Sequence, residues 1–382
     1  MPREKLLMIP GPSPVVPRIL DALAAPTVSH VGPEMVRELR ASCEALKQVV
    51  FCGGGEAVIA AGGGTLSMEM ALLNVTDAAR DRVLVLAQGY FGRRMADICD
   101  AFGVAYDILE AEWGRVVTPG ELESQLAKRE YAALFSTHVD TATGACAPIE
   151  AYAKAVASTG ALFVVDGVCA TGGIPERMDA WQIDVVLTAA QKCLGAPPGL
   201  ALAVFSERAL AKRRSLPRIP AYYADILRWL PVMRDPAKYF STPCVNEIRA
   251  FHEALRIILE EGLEARFARH ERTGRAVRAG LAALGFTFLT DPGSLAATLS
   301  VPRYPDGVDD AAFRAGLYAR GVVVAGGLAH TAGRVFRIGH MGNLTSDEVV
   351  FALDAVEQTL VGLGFAREAG SAVRAAKGEL TP

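Results

Sequence analysis

Five short runs of mostly apolar residues limit the possible folds of this 382-residue chain more than any other feature. They lie at residues 82–87, 132–136, 161–165, 184–188 and 200–205. Strands with one face in water alternate apolar and polar residues, but these runs do not, so both of their faces must be covered. Helix-like segments such as residues 151–158 lie between several of them. The pattern predicts an α/β fold with a mainly parallel, mixed sheet between layers of helices.

The last third of the chain predicts a second, smaller domain. Apolar residues recur there at the spacing of an amphipathic helix: Ile248, Phe251, Leu255, Ile258 and Leu259. A further helix is predicted after Gly262 as far as Leu284, with Gly285 as its C-cap. Short strand candidates follow at residues 286–289, 296–301, 322–325 and 335–338. The Ala-rich end, residues 366–382, is predicted to be loose.

These patterns divide the chain into three parts. We expect an N-terminal arm at residues 1–20, a large domain at residues 21–262 and a small α+β domain at residues 263–382. Soft limits on domain size agree with one large α/β unit and one smaller unit in a chain of this length.

Charge and cysteine content exclude several classes of protein. The net charge is −3 without a basic stripe, so neither nucleic acid nor a membrane surface is an expected partner. The cysteines contain no CxxC pair, which argues against a disulfide framework and a zinc site. They are Cys43, Cys52, Cys99, Cys146, Cys169, Cys193 and Cys244. The first residues contain no apolar leader, and no run could cross a bilayer, so we expect a soluble, cytoplasmic protein without a metal site.

Two ionisable residues stand directly after apolar runs, where open α/β sheets bind their ligands. Lys192 lies in the segment QKCLGAPPG, residues 191–199. An amine desolvated beside a buried strand is a nucleophile toward an aldehyde, although a lone lysine at a strand end is more often structural. Asp166 follows residues 161–165, and its carboxylate could keep a pyridine nitrogen protonated or simply cap a helix.

Two further features suit an anionic ligand. The segment AGGGT at residues 61–65 precedes a helical run, so its backbone N–H groups and the Thr65 hydroxyl could bind a phosphate. Arg337 has a planar guanidinium that suits a substrate carboxylate. Taken singly, these are a flexible turn and a surface ion pair. Together with Lys192 and Asp166, they match the needs of a pyridoxal 5′-phosphate (PLP) enzyme acting on amino acids.

The sequence also resembles a known family, the class V aminotransferases of PLP fold type I. Within that family it is most similar to the alanine–glyoxylate and serine–pyruvate aminotransferases. The similarity extends over nearly the whole chain, through PGPS at residues 10–13, GGL at residues 326–328 and RIG at residues 337–339. The segment at residues 191–199 is its most specific part. The resemblance implies a homodimer that binds PLP and small amino and 2-oxo acids.

The resemblance also assigns roles to individual residues. It implies that Lys192 forms the Schiff base, that Asp166 pairs with the pyridine nitrogen and that Arg337 binds the substrate carboxylate. The other implied cofactor contacts are Phe91 and Val168 on the two ring faces, Thr141 beside the ring, and Gly63, Gly64, Thr65 and Gln191 at the phosphate. Tyr239 and Thr242 match residues that reach the phosphate from a neighbouring subunit.

Some positions depart from the family pattern. Gly63 stands where relatives often have a serine, and Ala189-Ala190 replaces Gly-Ser, so two hydroxyl groups near the phosphate are lost. Pyridoxamine–pyruvate aminotransferase, a similar enzyme, has an acid at the position of Gly63 and an arginine at the position of Leu328. Both absences argue against that alternative. The expected activity is amino transfer from alanine or serine to glyoxylate or pyruvate.

Other functions stay open at this stage. The same fold serves ureidoglycine and aminophosphonate aminotransferases and cysteine desulfurases, although Cys169, Cys193 and Cys244 lie in segments that look anchored. A nicotinamide dehydrogenase would need GxGxxG spacing, which residues 62–64 lack. A non-catalytic binding protein is the remaining alternative. The histidines His330 and His340 are assigned to structure or hydrogen bonding.

Overall fold

The computed structural model describes residues 5–365 and 368–380. Its strands, in chain order, are β1 (Leu6–Leu7), β2 (Glu56–Ala61), β3 (Arg82–Ala87), β4 (Ala105–Glu110), β5 (Ala133–Thr137), β6 (Val139–Asp140), β7 (Ala145–Cys146), β8 (Leu162–Asp166), β9 (Val185–Ala189), β10 (Leu200–Phe205), β11 (Thr287–Phe288), β12 (Leu299–Ser300), β13 (Pro302–Arg303), β14 (Val322–Val323), β15 (Ala325–Gly326) and β16 (Phe336–Gly339).

The α-helices, in the same order, are α1 (Pro17–Ala24), α2 (Pro33–Val49), α3 (Gly64–Val75), α4 (Tyr90–Phe102), α5 (Pro119–Leu126), α6 (Ile149–Ala157), α7 (Met178–Trp181), α8 (Glu207–Ser215), α9 (Ile226–Arg234), α10 (Val245–Glu261), α11 (Leu263–Ala283), α12 (Asp310–Ala319), α13 (Ser346–Gly362) and α14 (Ser371–Leu380). Within the described ranges, none of these helices is both long and apolar enough to cross a membrane.

A seven-stranded sheet in the order β2-β10-β9-β8-β5-β3-β4 forms the centre of the first two thirds of the chain. The pairings among β9, β8, β5, β3 and β4 are parallel, whereas β10 is antiparallel to both of its neighbours. The five predicted strands are confirmed as β3, β5, β8, β9 and β10. Each of these strands is buried along nearly its whole length, which explains the continuous apolar runs.

Two strands of this sheet were not predicted. The strand β2 reads EAVIAA, and its alanines carry little strand preference. The strand β4 reads AYDILE, lies at the sheet edge and is only partly buried, so its sequence lacks the apolar run that marks the inner strands. Both strands are set by their pairing partners rather than by their own composition.

The long helices of the last third also match the prediction. The helix α10 contains the predicted apolar face, and α11 ends one residue before Leu284. The following Gly285 has φ +89°, the left-handed conformation that a glycine C-cap supplies without strain.

A second, smaller apolar core forms from α11 onward, with buried residues from α12, α13 and β16. The first described strand contributes to it as well, since β1 pairs in parallel with β14 and Met8 is fully buried there. This separate core supports the division at residue 262, which we retain as a proposal.

The prediction of a loose end at residues 366–382 is wrong for residues 371–380. They form the helix α14, which packs against α11, and Ala372 and Ala376 are fully buried. These alanines are four residues apart, so they share a helix face, and their small side chains allow close approach to Gly280 on α11. The remaining residues of that segment, 366–367 and 381–382, lie outside the described residues.

The fully buried guanidinium of Arg266, on α11, joins three segments that surround the site described below. It donates hydrogen bonds to the carbonyl oxygens of Gly172 at 2.8 Å, Cys193 at 2.7 Å and Gly342 at 3.3 Å. Its charge is balanced by Glu261 at 2.8 Å. One side chain therefore ties the loop that follows β8, the loop that follows β9 and the loop that follows β16.

We expect Arg266→Ala to lower the free energy of unfolding by about 3 to 5 kcal/mol, because it leaves the buried carbonyl groups of Gly172 and Cys193 without their donor. Glu261 keeps its ion pair with Arg269. Chemical denaturation measures this change. The matched control is Arg275→Ala on the same helix, which removes a half-exposed ion pair with Glu379 and should cost less than about 1 kcal/mol. Equal losses in the two variants would contradict the assignment of Arg266 as a structural hub.

Candidate active site

The carboxyl ends of the parallel strands meet at one edge of the central sheet, and the predicted site residues follow them there. Asp166 is the last residue of β8, and Lys192 lies three residues beyond the end of β9. The AGGGT segment at residues 61–65, the glycine cradle, extends from the end of β2, and Phe91 is the second residue of α4, the helix after β3. This edge is where open α/β sheets bind ligands.

The Lys192 side chain lies against residues from the start of the chain. Its Nζ donates a hydrogen bond to the carbonyl oxygen of Pro10. The Ser13 hydroxyl donates to the Lys192 carbonyl oxygen at 2.8 Å, and the Ser13 N–H donates to the Gln191 carbonyl oxygen at 3.0 Å. Gly11 has φ +101°, and a Cβ atom there would overlap the lysine side chain, so only glycine fits. The PGPS segment thus forms one wall of the lysine's surroundings.

Asp166 is a buried carboxylate whose hydrogen-bond partners among the described residues are neutral donors. It accepts a hydrogen bond from the Val168 N–H at 3.0 Å, and the Thr137 hydroxyl lies 3.5 Å from its other oxygen. Burial raises its pKa to about 7, with smaller contributions from the charges of Asp140 and Glu176. No cationic side chain within residues 5–365 and 368–380 forms an ion pair with it. Such a carboxylate suits a cationic ligand group.

The glycine cradle leads directly into α3. Gly63 is the extended residue before the helix and Gly64 is its first residue, so backbone N–H groups point out of the helix end. Side-chain atoms of Val168 approach within 3.0 Å of the position that a Cβ of Gly64 would take. The space beside Gly63 is open for 4 Å. The cradle and Val168 therefore lie on the same side of the site.

A second set of contacts joins Thr141 to Arg337. The guanidinium of Arg337 donates from Nε to the Gly326 carbonyl oxygen at 2.8 Å, and its Nη1 lies 3.5 Å from the Thr141 hydroxyl. Burial lowers the pKa of Arg337, yet an arginine stays charged. No carboxylate among the described residues pairs with this cation. It is free to bind an anionic group.

Phe91 is held by a residue that the sequence did not single out. The buried carboxylate of Asp140 accepts hydrogen bonds from the Phe91 N–H at 2.7 Å and the Ala142 N–H at 2.8 Å. It caps the N-terminus of α4, where negative charge is favourable. Because Thr141 is the next residue, Asp140 fixes the backbone that carries both Phe91 and Thr141.

Cys169 is another residue whose position sequence reasoning missed. Its thiol is buried, and burial raises its pKa. The charges of Asp166 and Asp140 add to this shift, whereas those of Lys192 and Arg337 oppose it. Only its place three residues after Asp166 in sequence could have suggested that Cys169 lies near the site. Burial also raises the pKa of Cys193, so neither thiol is the accessible thiolate that a desulfurase requires.

Two predicted cofactor contacts and two histidines without a predicted catalytic role lie away from Lys192 and Asp166. Tyr239 is about half exposed (48%) beside the ring of His30, and Thr242 is exposed. Their predicted reach into a neighbouring subunit stays a prediction. His330 is exposed against Trp113, whereas His340 is buried and bonded to the Ser300 hydroxyl at 3.0 Å.

The residues at this edge fit PLP. The buried amide oxygen of Gln191 has no hydrogen-bond partner among the described residues, so it can accept a further hydrogen bond at this edge. The open space at Gly63 lies at a helix N-terminus, where a phosphate is favourable. Among the residues that the structure describes, Asp166 has no cationic partner and Arg337 has no anionic partner, as expected for groups that bind a pyridinium and a substrate carboxylate. No metal-binding group of three or more His, Cys, Asp or Glu side chains occurs in the part of the chain that the structure describes.

Comparison with known proteins gives consistent results. The family model described as aminotransferase class-V matches residues 18–349. An uncharacterized aminotransferase of Methanocaldococcus jannaschii is 38% identical over 95% of this chain and 94% of its own. A serine–glyoxylate aminotransferase of Methylorubrum extorquens is 31% identical over 99% of this chain and 96% of its own.

The structural comparison agrees. The crystal structure of ureidoglycine–glyoxylate aminotransferase from Bacillus subtilis superposes with a TM-score of 0.95 and 29% identity. The match covers 99% of this chain and 98% of that chain. The predicted α/β architecture with a mainly parallel sheet is therefore confirmed.

Proposed function

Because this chain belongs to the class V aminotransferases, we propose that it uses PLP, held by Lys192, to transfer an amino group from alanine or serine to glyoxylate or pyruvate. The observation that carries the proposal is that Asp166, Lys192 and the glycine cradle follow strands that end at one edge of the sheet. Arg337 lies 3.5 Å from the Thr141 hydroxyl. The two relatives named for defined substrates both use glyoxylate, which supports that acceptor. Their amino donors differ, so the choice of alanine or serine rests on the resemblance of this chain to its family.

PLP, when bound, supplies an electron-withdrawing ring that stabilises negative charge on the substrate Cα after its proton leaves. Asp166 would hold the pyridine nitrogen protonated, since its carboxylate is buried and pairs with no cation in the described part of the chain. Phe91 and Val168 would enclose the ring, and Gly63, Gly64, Thr65 and Gln191 would bind the phosphate. The surrounding apolar strands would keep water away, which strengthens the electrostatic interactions of these groups with the cofactor.

Lys192 would move the proton at the substrate Cα. Its Nζ is held toward the Pro10 carbonyl oxygen by a hydrogen bond that can be exchanged. The backbone of Lys192 is fixed separately through Ser13 and Arg266's bond to Cys193. A flexible amine on a fixed backbone suits a group that must both hold the cofactor and act as a general base.

Arg337 would bind the carboxylate of the amino donor and of the 2-oxo acid in turn. We expect Arg337→Gln to lower kcat/KM for both substrates by roughly 30- to 150-fold, because a buried charge pair is lost. Arg337→Lys should lose less, since it keeps the charge but not the two-pronged geometry. Steady-state kinetics with both substrates measures the effect.

The matched control is Arg334→Gln, at an exposed arginine three residues earlier, which should leave both kinetic constants unchanged. An Arg337→Gln enzyme with unchanged KM for alanine, serine and glyoxylate would show that another residue binds the carboxylate.

The proposed function is tested by the visible absorption spectrum of the purified protein mixed with PLP. Colour that bleaches with L-alanine or L-serine and returns with glyoxylate supports the proposal and identifies the donor. L-aspartate and other amino acids, added in the same way, define the donor range. A protein that takes up no PLP and gains no colour would overturn it.

We also propose a homodimer in the cytoplasm. Three large apolar or aromatic side chains, those of Tyr222, Leu227 and Tyr239, are exposed in one segment of the single chain, as expected of a surface that a second subunit covers. The same segment carries Thr242. The seven cysteines are all free thiols, which supports a reducing compartment.

A further inference from the structure

We infer that Arg94 supplies the positive charge of the cofactor phosphate site, a role that rests on the proposed function and deepens it. Arg94 lies in the second turn of α4, and its Nη1 donates to the Thr65 hydroxyl oxygen at 3.4 Å. Thr65 is the second residue of α3, at the end of the glycine cradle. The guanidinium therefore stands at the helix end where the phosphate is expected.

The cradle itself provides little charge. Its glycines contribute only backbone N–H groups, and a helix N-terminus carries roughly half a positive charge. A phosphate monoester carries nearly two negative charges at neutral pH. A nearby guanidinium would balance this difference and form charge-assisted hydrogen bonds with the phosphate oxygens.

The hydrogen bond to Thr65 also has a direction that matters. Because Arg94 donates to the hydroxyl oxygen, the Thr65 hydrogen must point to another acceptor. An anion at the helix end is such an acceptor. Arg94 thus acts both as a cation and as the group that orients the one hydroxyl of the cradle.

The other contacts of Arg94 leave its charge unpaired. Its guanidinium lies over the Phe91 ring at 4.4 Å and near the Tyr90 ring at 5.4 Å. No carboxylate within residues 5–365 and 368–380 is in ion-pair distance of it. The adjacent Arg93 differs, since it is exposed and forms a two-pronged ion pair with Glu110. A carboxylate therefore balances the charge of Arg93, whereas the charge of Arg94 remains available for an anion.

The test compares the affinities of apoprotein for PLP and for pyridoxal, which lacks the phosphate. Absorbance titration measures both dissociation constants without any need for turnover. We expect Arg94→Gln to weaken PLP binding by on the order of 10- to 100-fold, and pyridoxal binding by less than about threefold. Arg94→Lys should fall between Arg94→Gln and the unchanged protein for PLP.

Inorganic phosphate provides a second readout as a competitor of PLP. Its inhibition constant should rise in Arg94→Gln by a factor similar to that for PLP. The matched control, Arg93→Gln, should change none of these constants. Circular dichroism checks that each variant is folded.

Two results would be decisive against the inference. If Arg94→Gln weakens PLP and pyridoxal equally, Arg94 only supports the Phe91 ring, and the proposed function stands without this role. If the unchanged protein binds neither PLP nor pyridoxal, the proposed function itself fails and the inference fails with it.

Discussion

Lys192→Ala protein is expected to lose transamination by on the order of 10⁴-fold or more, because one side chain both holds the cofactor and moves the proton. The fold should persist, since the bonds that fix this loop come from backbone groups of residues 191–193 rather than from the lysine amine. The loss is measured in the half-reaction with L-alanine alone, from the rate at which pyruvate forms.

Borohydride reduction gives an independent readout of the same assignment. It should attach the cofactor to the peptide that contains Lys192 in the unchanged protein and to no peptide in Lys192→Ala. A surface variant, Lys128→Ala, serves as the control and should keep both the label and the activity. A label on a different lysine, or full activity in Lys192→Ala, would refute the assignment.

The second large effect is expected at Asp166. Asp166→Asn keeps the size of the side chain and its hydrogen bond from the Val168 N–H but removes the charge that holds the pyridine nitrogen protonated. We expect kcat to fall by on the order of 10²- to 10³-fold, with weaker PLP binding. Thr137→Val, which alters only the neutral contact at 3.5 Å, should cost less than about tenfold. Equal losses in the two variants would contradict the pyridinium role.

Asp166→Asn, which should lower kcat, should raise the stability of the apoprotein. The pKa of Asp166 is about 7 in the folded chain, whereas an unfolded aspartate titrates near 4. The folded chain therefore binds more protons between these pH values, so this residue makes the protein less stable as the pH rises from about 4 to 7. Above pH 7, a buried charge remains without a cation.

Asp166→Asn apoprotein should consequently be more stable than the unchanged apoprotein at pH 8, by up to about 4 kcal/mol. The difference should vanish near pH 4, where both side chains are neutral. Denaturation at the two pH values checks it. A variant that is less stable at pH 8 would show that Asp166 has an internal partner that stabilises its charge.

The parts of the fold that were predictable are those that the chain buries on both sides. Continuous apolar runs identified β3, β5, β8, β9 and β10, and helical spacing identified α10 and α11. The strand β4 has an exposed edge, and β2 is rich in alanine, so neither left a clear pattern. The helix α14 was missed because burial of an alanine depends on a close neighbour, here Gly280 on α11, that composition does not reveal.

The candidate site shows a similar division. Residues at or shortly after strand ends, such as Asp166 and Lys192, were predictable because chain order places them at one sheet edge. Pro10, Arg94 and Asp140 reach the site through contacts between distant segments or through the cap of a helix. Their sequence neighbourhoods carry no pattern for this. Only the packing of the whole chain brings them to the site.

The segment from Leu6 to Ser13 has a consequence for biosynthesis. It pairs with β14, lies partly buried beside β16 and touches Lys192, yet more than 300 residues separate it from β14 in sequence. On a ribosome that adds roughly 5 to 20 residues per second, this segment waits on the order of tens of seconds for its partner strand. The large sheet can form during that time, but the lysine's surroundings need residues 322–339, and the smaller core needs the chain as far as Ala376. The nascent chain therefore passes through a long period in which an apolar segment has no partner, and in that period it is exposed to chaperones and to aggregation.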